Sequence, residues 1–145
     1  MEIMIKKVRE NATIPTYGSR GAAGADLYAA ITEAVEIPSC ETVLIPSGVS
    51  IAIPEGSVGL VFARSSLGTK RGLAPANKVG VIDSDYRGEI FVSLHNHSKV
   101  AATIAPNERI AQLAIVPVIQ AAFSETDELP ETVRGVGGFG STGKF

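Results

Sequence analysis

The sequence predicts an antiparallel all-β fold, a jelly roll that closes as a distorted β-barrel. Short runs of β-branched residues recur along the chain, each long enough for a strand and too short for a typical helix. Residues that favour turns separate these runs at the spacing of about 8 to 12 residues that sandwiches and barrels show. Only residues 65–70 are predicted to form a short helical turn.

The predicted strands follow one another from the first third of the chain to the last. They cover residues 34–38, 42–45, 49–53, 58–62, 89–94, 100–104 and 110–116, with turns at 46–48, 54–56, 95–98 and 105–107. The run at 113–119 is apolar on both faces, which is more apolar surface than one small sandwich needs to bury. Self-association is therefore predicted to cover the surplus.

The composition is that of one globular domain, since 145 residues with 45% hydrophobic content can bury a core of their own. The net charge of −2 and the lack of a long basic run argue against binding to a nucleic-acid backbone, although a single nucleotide fits. No signal-peptide pattern or membrane-length apolar run is present, so we expect a cytoplasmic protein that binds no membrane. Cys40, His95 and His97 are too few for a structural zinc site to be expected.

The character of the chain changes after Phe123. Residues 124–131 are acidic and polar, and residues 134–145 place five glycines around Arg134, Phe139 and Lys144. Glycines let the backbone approach an anion, basic side chains add charge, and an aromatic ring can stack on a base. We therefore expect a barrel domain at 1–123 and, at 124–145, a linker and a glycine-rich arm that wraps a phosphate; a flexible tail is the simpler interpretation. A P-loop is excluded, because Phe145 stands where that motif needs a hydroxyl.

Residues 80–88 place two carboxylates, a phenol and a guanidinium in a turn bounded by glycines. Acidic residues in turns are commonly Asx caps, and that interpretation stands beside a functional one. In the functional interpretation an ionised carboxylate holds and deprotonates a water molecule. So weak a base needs a good leaving group, which a phosphoanhydride supplies.

Three other segments carry weaker signals. Arg64, Ser65 and Ser66 follow a predicted strand, where they could equally form a capped turn. Asp26 follows a glycine at a strand start, where a surface carboxylate is the usual case. Gln112 lies on the strand face that Ile110 and Ala114 share, where a glutamine is a satisfied core polar group about as often as a ligand contact.

The order of these segments is more specific than any one of them. The series A-G-x-D-L, R-S-S-x-G, G-V-I-D-x-D-Y-R-G, R-x-A-Q and R-G-x-G-G-F-G-S-T-G spans residues 23–143 and resembles the five motifs of the trimeric dUTP pyrophosphatases. The resemblance implies a homotrimer of jelly-roll subunits, with three active sites at interfaces and each site closed by a neighbour's C-terminal arm. It also implies hydrolysis of dUTP to dUMP and pyrophosphate, which limits uracil in DNA and supplies the precursor of thymidylate.

The resemblance also implies a role for each matching residue. Asp83 would activate the water that attacks the α-phosphorus, and Tyr86 would pack beneath the deoxyribose and exclude a 2′-hydroxyl. Asn77 and the backbone around Val81 and Ile82 would read the uracil edge.

The phosphates and the metal form the second half of the implied site. The residues implied to bind the phosphates and to close over the uracil are Arg64, Ser65, Ser66, Gln112, Arg134, Gly138, Phe139, Gly140, Ser141 and Thr142. Mg²⁺ would bind the triphosphate itself and would be reached by Asp26 through water. Ala25, Ala63 and Arg71 depart from the common pattern at positions without an assigned chemical role.

Two alternatives remain open at this point. The deoxycytidine triphosphate deaminases share the fold, but they need a carboxylic acid in the base pocket, and the segment around Asn77 supplies none. A nucleotide-gated binding protein would order its arm on dUTP and recruit a partner, with hydrolysis incidental. Asp83 argues against a role in binding alone.

Overall fold

The computed structural model describes residues 2–138, which form twelve short strands and one short helix. The strands are β1 (Ile5–Lys7), β2 (Thr16–Tyr17), β3 (Ala25–Tyr28), β4 (Val35–Ile37), β5 (Thr42–Pro46), β6 (Val49–Ile51), β7 (Ser57–Phe62), β8 (Leu73–Pro75), β9 (Gly80–Ile82), β10 (Phe91–Asn96), β11 (Ala102–Ile104) and β12 (Arg109–Pro117). The helix is α1 (Ser65–Arg71). The predicted all-β class is confirmed, and so is the helical turn after β7.

Each of the seven predicted runs contains a strand, and β3 lies where the sequence indicated a strand start at Asp26, but the sequence did not predict β1, β2, β8 and β9. These strands are two or three residues long, which is too short to show a period of two. They form because a partner strand supplies backbone hydrogen bonds. β9, for example, pairs with β7 along Gly59, Leu60 and Val61.

All strand pairs among the described residues are antiparallel. The largest sheet has the order β2-β3-β12-β7-β9, and a three-stranded sheet has the order β5-β10-β8. Two further pairs, β1 with β6 and β4 with β11, complete the jelly-roll framework. β12 is the longest strand and lies at the centre of the largest sheet, between β3 and β7.

One hydrophobic core lies between the sheets. Its fully buried side chains include Leu27, Ile37, Ile45, Leu94 and Ile110. Along β10 the buried residues alternate with more exposed ones, as expected for a strand with one face on the core. Packing of the sheets on this core fixes the positions of the strands and of the site residues predicted near their ends.

The helix α1 is a single element of seven residues between β7 and β8. It ends at Gly72, which adopts a left-handed conformation with φ of 65° and donates its backbone N–H to the carbonyl of Leu67. Arg71, in its last turn, donates to the Glu108 carboxylate and to the carbonyl of Thr103. These contacts tie the helix to the loop before β12.

Within residues 2–138, no helix has the length and apolar character needed to cross a lipid bilayer.

Two glycines allow a matched test of packing around the barrel. Gly48 and Gly56 have nearly the same positive φ, 73° and 74°. A Cβ at Gly48 would lie 2.5 Å from the Ala12 Cβ and 2.7 Å from the Ala30 Cβ, whereas a Cβ at Gly56 would meet nothing within 4 Å.

We predict that Gly56→Ala lowers the free energy of unfolding by about 1 to 2 kcal/mol, the cost of the left-handed conformation. Gly48→Ala should cost about 1 to 3 kcal/mol more, because the added methyl overpacks the core. Urea denaturation of both variants measures the difference. Equal losses in the two variants would show that the region around Ala12 and Ala30 relaxes to admit the methyl.

Candidate functional site

Three distant segments of the chain meet on the central sheet. Asp26 of β3 and Gln112 of β12 are directly paired across the sheet, and Gln112 also pairs with Phe62 of β7 on its other side. Arg64 follows β7 by two residues in extended backbone, so its side chain reaches the same place. The register of β12 thus brings together residues of the first, second and fourth predicted motifs.

Asp26 is the centre of this group. Its side chain is 4% exposed, and its Oδ1 accepts hydrogen bonds from Arg64 Nε at 2.9 Å and from Gln112 Nε2 at 3.4 Å. Its Oδ2 accepts from Arg109 NH1 at 3.3 Å. One carboxylate thus faces two guanidinium groups, which leaves an excess of positive charge beside the Arg64 and Gln112 side chains.

Arg109 was not predicted as a site residue. It begins the R-x-A-Q motif and is the exposed first residue of β12, so neither burial nor a turn marks it in the sequence. Its importance is visible only in its contact with Asp26. The signal that could have found it is its place as the first residue of the R-x-A-Q motif, three residues before Gln112. It contributes charge at the place where phosphates are predicted to bind.

Ser65 and Ser66 begin α1 and are both exposed. Neither side chain caps the helix, and Arg64 NH1 lies 3.5 Å from the Ser66 Oγ. The alternative interpretation of these residues as a capped turn is therefore not supported by the geometry. Two hydroxyls and a guanidinium can donate hydrogen bonds to an anion here.

A second group of predicted residues forms the turn after β9. The Tyr86 backbone N–H donates to the Asp83 carbonyl at 3.2 Å, and Arg87 NH1 donates to the carbonyls of Ser84 and Tyr86. The Asp83 carboxylate is exposed and takes part in none of the ion pairs found among residues 2–138. An exposed, unpaired carboxylate on a closed turn is available to hold a water molecule.

Tyr86 is held on one side of this turn. Its Oη donates to the backbone carbonyl of Glu89 at 2.9 Å. A Cβ at Gly88 would lie 2.4 Å from that Oη, so the ring occupies space that only glycine leaves free. The exposed ring of Tyr86 can therefore serve as a fixed wall for a ligand.

Asn77 lies in the turn between β8 and β9 and is exposed. Its Nδ2 lies 3.8 Å from where a Cβ on Gly80 would stand. Val81, the residue after Gly80, is 60% exposed, and Ile82 is half-buried.

Lys78, the residue after Asn77, connects this turn to His97. It has a positive φ of 66°, and its Nζ lies 3.2 Å from His97 Nε2. Desolvation lowers the pKa of His97, with smaller contributions from the charge of Lys78 and from His95. A neutral His97 can accept a hydrogen bond from Lys78 and hold this turn against β10.

The two groups of predicted residues do not meet within one chain. Ile82 pairs with Gly59, and Arg64 lies five positions after Gly59, two residues past the end of β7, which is about 16 Å in extended backbone. Because β9 runs antiparallel to β7, Asp83 follows Ile82 toward the start of β7, away from Arg64. A ligand between Asp83 and Arg64 of the same chain would have to span the length of β7, so a single chain does not assemble the whole predicted site.

The C-terminal residues of the predicted site are described only in part. Arg134 is exposed, and its Nε donates to the carbonyl of Gly137 at 2.8 Å within a turn. Gly138 is half-buried. Phe139, Gly140, Ser141 and Thr142 lie outside the described residues, and their predicted roles stay predictions.

We predict that Asp26→Asn lowers the free energy of unfolding by about 1 to 3 kcal/mol, because two guanidinium groups lose the buried charge that they share. Urea denaturation at neutral pH measures this loss. Asp127→Asn, which changes an exposed carboxylate in the C-terminal segment, is the control and should change stability by no more than about 0.5 kcal/mol. Equal stabilities for the two variants would contradict the structural importance of the Asp26 ion pairs.

Solved structures share this fold over nearly the whole chain. A mutant dUTPase of Staphylococcus bacteriophage 80alpha with dUpNHpp superposes with a TM-score of 0.90 at 27% identity, covering 98% of each chain. A mutant dUTPase of the S. aureus phage phi11, described with a structural Mg(II) ion, superposes with a TM-score of 0.79 at 25% identity and covers 88% of this chain and 98% of that one.

Relatives with greater identity carry one name, deoxyuridine 5'-triphosphate nucleotidohydrolase. The protein from Aromatoleum aromaticum is 50% identical over 131 residues, with 90% of this chain and 88% of the relative covered. The protein from Leptothrix cholodnii is 46% identical over 145 residues, with 99% and 97% covered. The family model for dUTPase matches residues 10–143. Because that match includes both groups of site residues, and because the relatives align over nearly their full lengths, the chain belongs to the dUTPase family.

Proposed function

We propose that the chain hydrolyses dUTP to dUMP and pyrophosphate by attack of water on the α-phosphorus. The observation that carries this proposal is the turn at 83–86, where an exposed carboxylate without an ion pair among the described residues stands three positions before a hydrogen-bonded tyrosine. The family membership and the nucleotide dUpNHpp in the 80alpha enzyme support the choice of substrate. In the cell, such a reaction removes dUTP before it enters DNA and supplies dUMP.

Asp83 supplies the base in this reaction. An ionised carboxylate accepts a proton from a bound water molecule as that water attacks phosphorus, and the bond from the α-phosphorus to the bridging oxygen breaks. The electron pair leaves with pyrophosphate, which is a good leaving group once its charge is neutralised. A weak base therefore suffices.

Tyr86 and the β8–β9 turn supply selectivity. The ring of Tyr86, fixed by its hydrogen bond to Glu89, would pack beneath the deoxyribose and leave no room for a 2′-hydroxyl. The Asn77 amide and the backbone near Val81 and Ile82 can pair with the uracil edge, and a hydrogen-bonding site of this kind discriminates strongly against a base with the wrong donors.

The charges of the other group of residues match a triphosphate. Arg64 and Arg109 carry two positive charges against the single charge of Asp26, and Ser65, Ser66 and Gln112 add hydrogen-bond donors. The Asp26 ion pair keeps Arg64 in one orientation. Arg134, Gly138 and the residues of the arm beyond it would bind the outer phosphates and close over the base.

Mg²⁺ fits this donor set when the substrate's own oxygens hold it. No group of three or more possible ligands of the His, Cys, Asp or Glu type occurs among residues 2–138, and Mg²⁺ is commonly bound by substrate phosphates together with water. Asp26 would reach the ion only through water, because each of its oxygens already accepts a hydrogen bond from a guanidinium. The ion would neutralise phosphate charge and so assist departure of pyrophosphate.

A homotrimer with exchanged C-terminal arms would complete the site. The separation along β7 supports an arrangement in which the Asp83 turn of one chain meets the Arg64 group of another. After β12, the described residues to 138 contain no helix or strand, and Ile119 and Phe123 are 95% and 98% exposed. Apolar side chains this exposed fit a segment that packs on a neighbouring copy.

The single chain also shows a surface that could receive such a segment. A groove of about 240 Å³ lies between Ile5 of β1, Ile51 of β6 and Ile115 of β12 and is bordered by Pro15 and Tyr17. Its lining is mostly apolar, as that of a buried interface is. We assign the C-terminal segment of a second copy as its occupant. The boundary of the barrel near residue 123 and the cytoplasmic location remain predictions from the sequence.

We predict that Asp83→Asn slows pyrophosphate release from dUTP by about 10² to 10⁴-fold, the usual contribution of a general base. Asp85→Asn, two positions away in the same exposed turn, is the matched control and should retain most of the activity. Labelled oxygen from solvent should enter dUMP and not pyrophosphate. Ammonia release from dCTP would favour the deaminase instead, and an active Asp83→Asn enzyme would overturn the proposed base.

We predict that two inactive variants restore each other when they share a trimer. Arg64→Ala and Asp83→Asn, co-expressed with different tags and purified by both, should regain about a third of the wild-type activity, because in each mixed trimer one of the three sites pairs an intact turn with an intact Arg64. Each variant carried alone through the same purification is the control. An inactive mixed trimer would contradict a site divided between chains.

A further inference from the structure

We infer that Arg9 and Glu89 are positioning residues that set how strictly the site excludes a 2′-hydroxyl, by holding Tyr86 in place. This inference rests on the proposed function, since it concerns the sugar selectivity of that same site. Neither residue belongs to the set predicted from the sequence. Both lie outside the reacting atoms and act through the turn at 83–88.

The Glu89 carboxylate is held at three points. Arg9 donates to it through Nε at 2.6 Å and through NH2 at 3.0 Å, and the backbone N–H of Gly48 donates at 2.9 Å. The Glu89 side chain is 14% exposed, whereas that of Arg9 is 41% exposed. A two-point contact between guanidinium and carboxylate fixes direction as well as distance. The hydrogen bond to Glu89 is the main reason that the pKa of Arg9 is raised.

Arg9 is itself anchored to the framework. Val8, the residue before it, donates its backbone N–H to the Gly48 carbonyl at 2.8 Å and so extends the pairing of β1 with β6. The Arg9 guanidinium also lies 5.8 Å from the centre of the Phe91 ring, within the range of a cation–π contact. The ion pair thus connects Glu89 to a part of the chain 80 positions away.

Glu89 connects this anchor to Tyr86. Its backbone carbonyl accepts the Tyr86 Oη at 2.9 Å, and its side chain is the group that Arg9 and Gly48 hold. Glu89 lies between the turn and β10, where no strand pairing fixes its own backbone. From Ile90 onward, backbone hydrogen bonds to Ser47 and Val49 hold the chain. The carboxylate contacts therefore fix the carbonyl on which the tyrosine ring depends.

The test is the ratio of kcat/KM for dUTP to kcat/KM for UTP. Glu89→Gln keeps an acceptor for the Gly48 N–H and removes the charge, and Arg9→Met keeps much of the apolar stem and removes the guanidinium. Each should lower the ratio by about two- to tenfold, the effect of one hydrogen bond's contribution to positioning. Arg9→Lys, which keeps the charge without the two-point contact, is a milder variant that should lower the ratio if Arg9→Met does not fold.

A double variant shows whether the effect passes through Tyr86. Tyr86→Phe removes the Oη and should lower the same ratio, and adding Glu89→Gln to it should then change the ratio little. Arg71→Met is the matched control, because it removes another partly exposed ion pair, with Glu108, at a distance from this turn. It should leave the ratio unchanged.

The outcomes separate this inference from the proposed function. In Glu89→Gln, equal losses of kcat/KM toward dUTP and UTP would leave the ratio unchanged and would overturn the inference. Additive effects of Glu89→Gln and Tyr86→Phe would also overturn it. Neither outcome would contradict dUTP hydrolysis by the wild type. A wild-type protein that does not hydrolyse dUTP would overturn the proposed function, and the inference with it.

Discussion

The register of β12 is the constraint on which the rest of the structure depends. This strand pairs with β3 on one side and with β7 on the other, and it carries Ile110 and Leu113 into the core. A shift of one residue would turn these side chains outward and move Gln112 to the opposite face. Burial of Ile110 and Leu113 therefore fixes the register that aligns Asp26, Gln112 and Arg64.

Two aspartates show how burial assigns different chemistry to the same side chain. Asp26 is almost completely buried and accepts hydrogen bonds from two guanidinium groups and an amide, so its carboxylate orients these neighbours. Asp83 is exposed on a closed turn. A carboxylate exposed to solvent can contact a water molecule, whereas both oxygens of Asp26 already accept hydrogen bonds from guanidinium groups. The proposed base, Asp83, and the carboxylate that orients Arg64 are thus separate residues with different environments.

The strand arrangement that brings Asp26, Gln112 and Arg64 together also separates them from the turn that carries Asp83. β7 places Arg64 at one end, and its pairing with β9 directs Asp83 toward the other. In the proposed trimer, contact between copies would be part of the chemistry as well as of stability. Such contact would also cover the exposed apolar side chains of the segment after β12, such as Ile119 and Phe123.

The sequence by itself determined the fold class, seven of the strands and the short helix, because strand periodicity and turn chemistry are local properties. It also determined the family, because the order of five motifs is specific. It could not predict β1, β2, β8 and β9, whose existence depends on a partner strand rather than on their own two or three residues. Nor could it place Arg109 on Asp26, or Arg9 on Glu89. These ion pairs join residues 83 and 80 positions apart, and only the tertiary structure decides which charges meet once the strands have aligned.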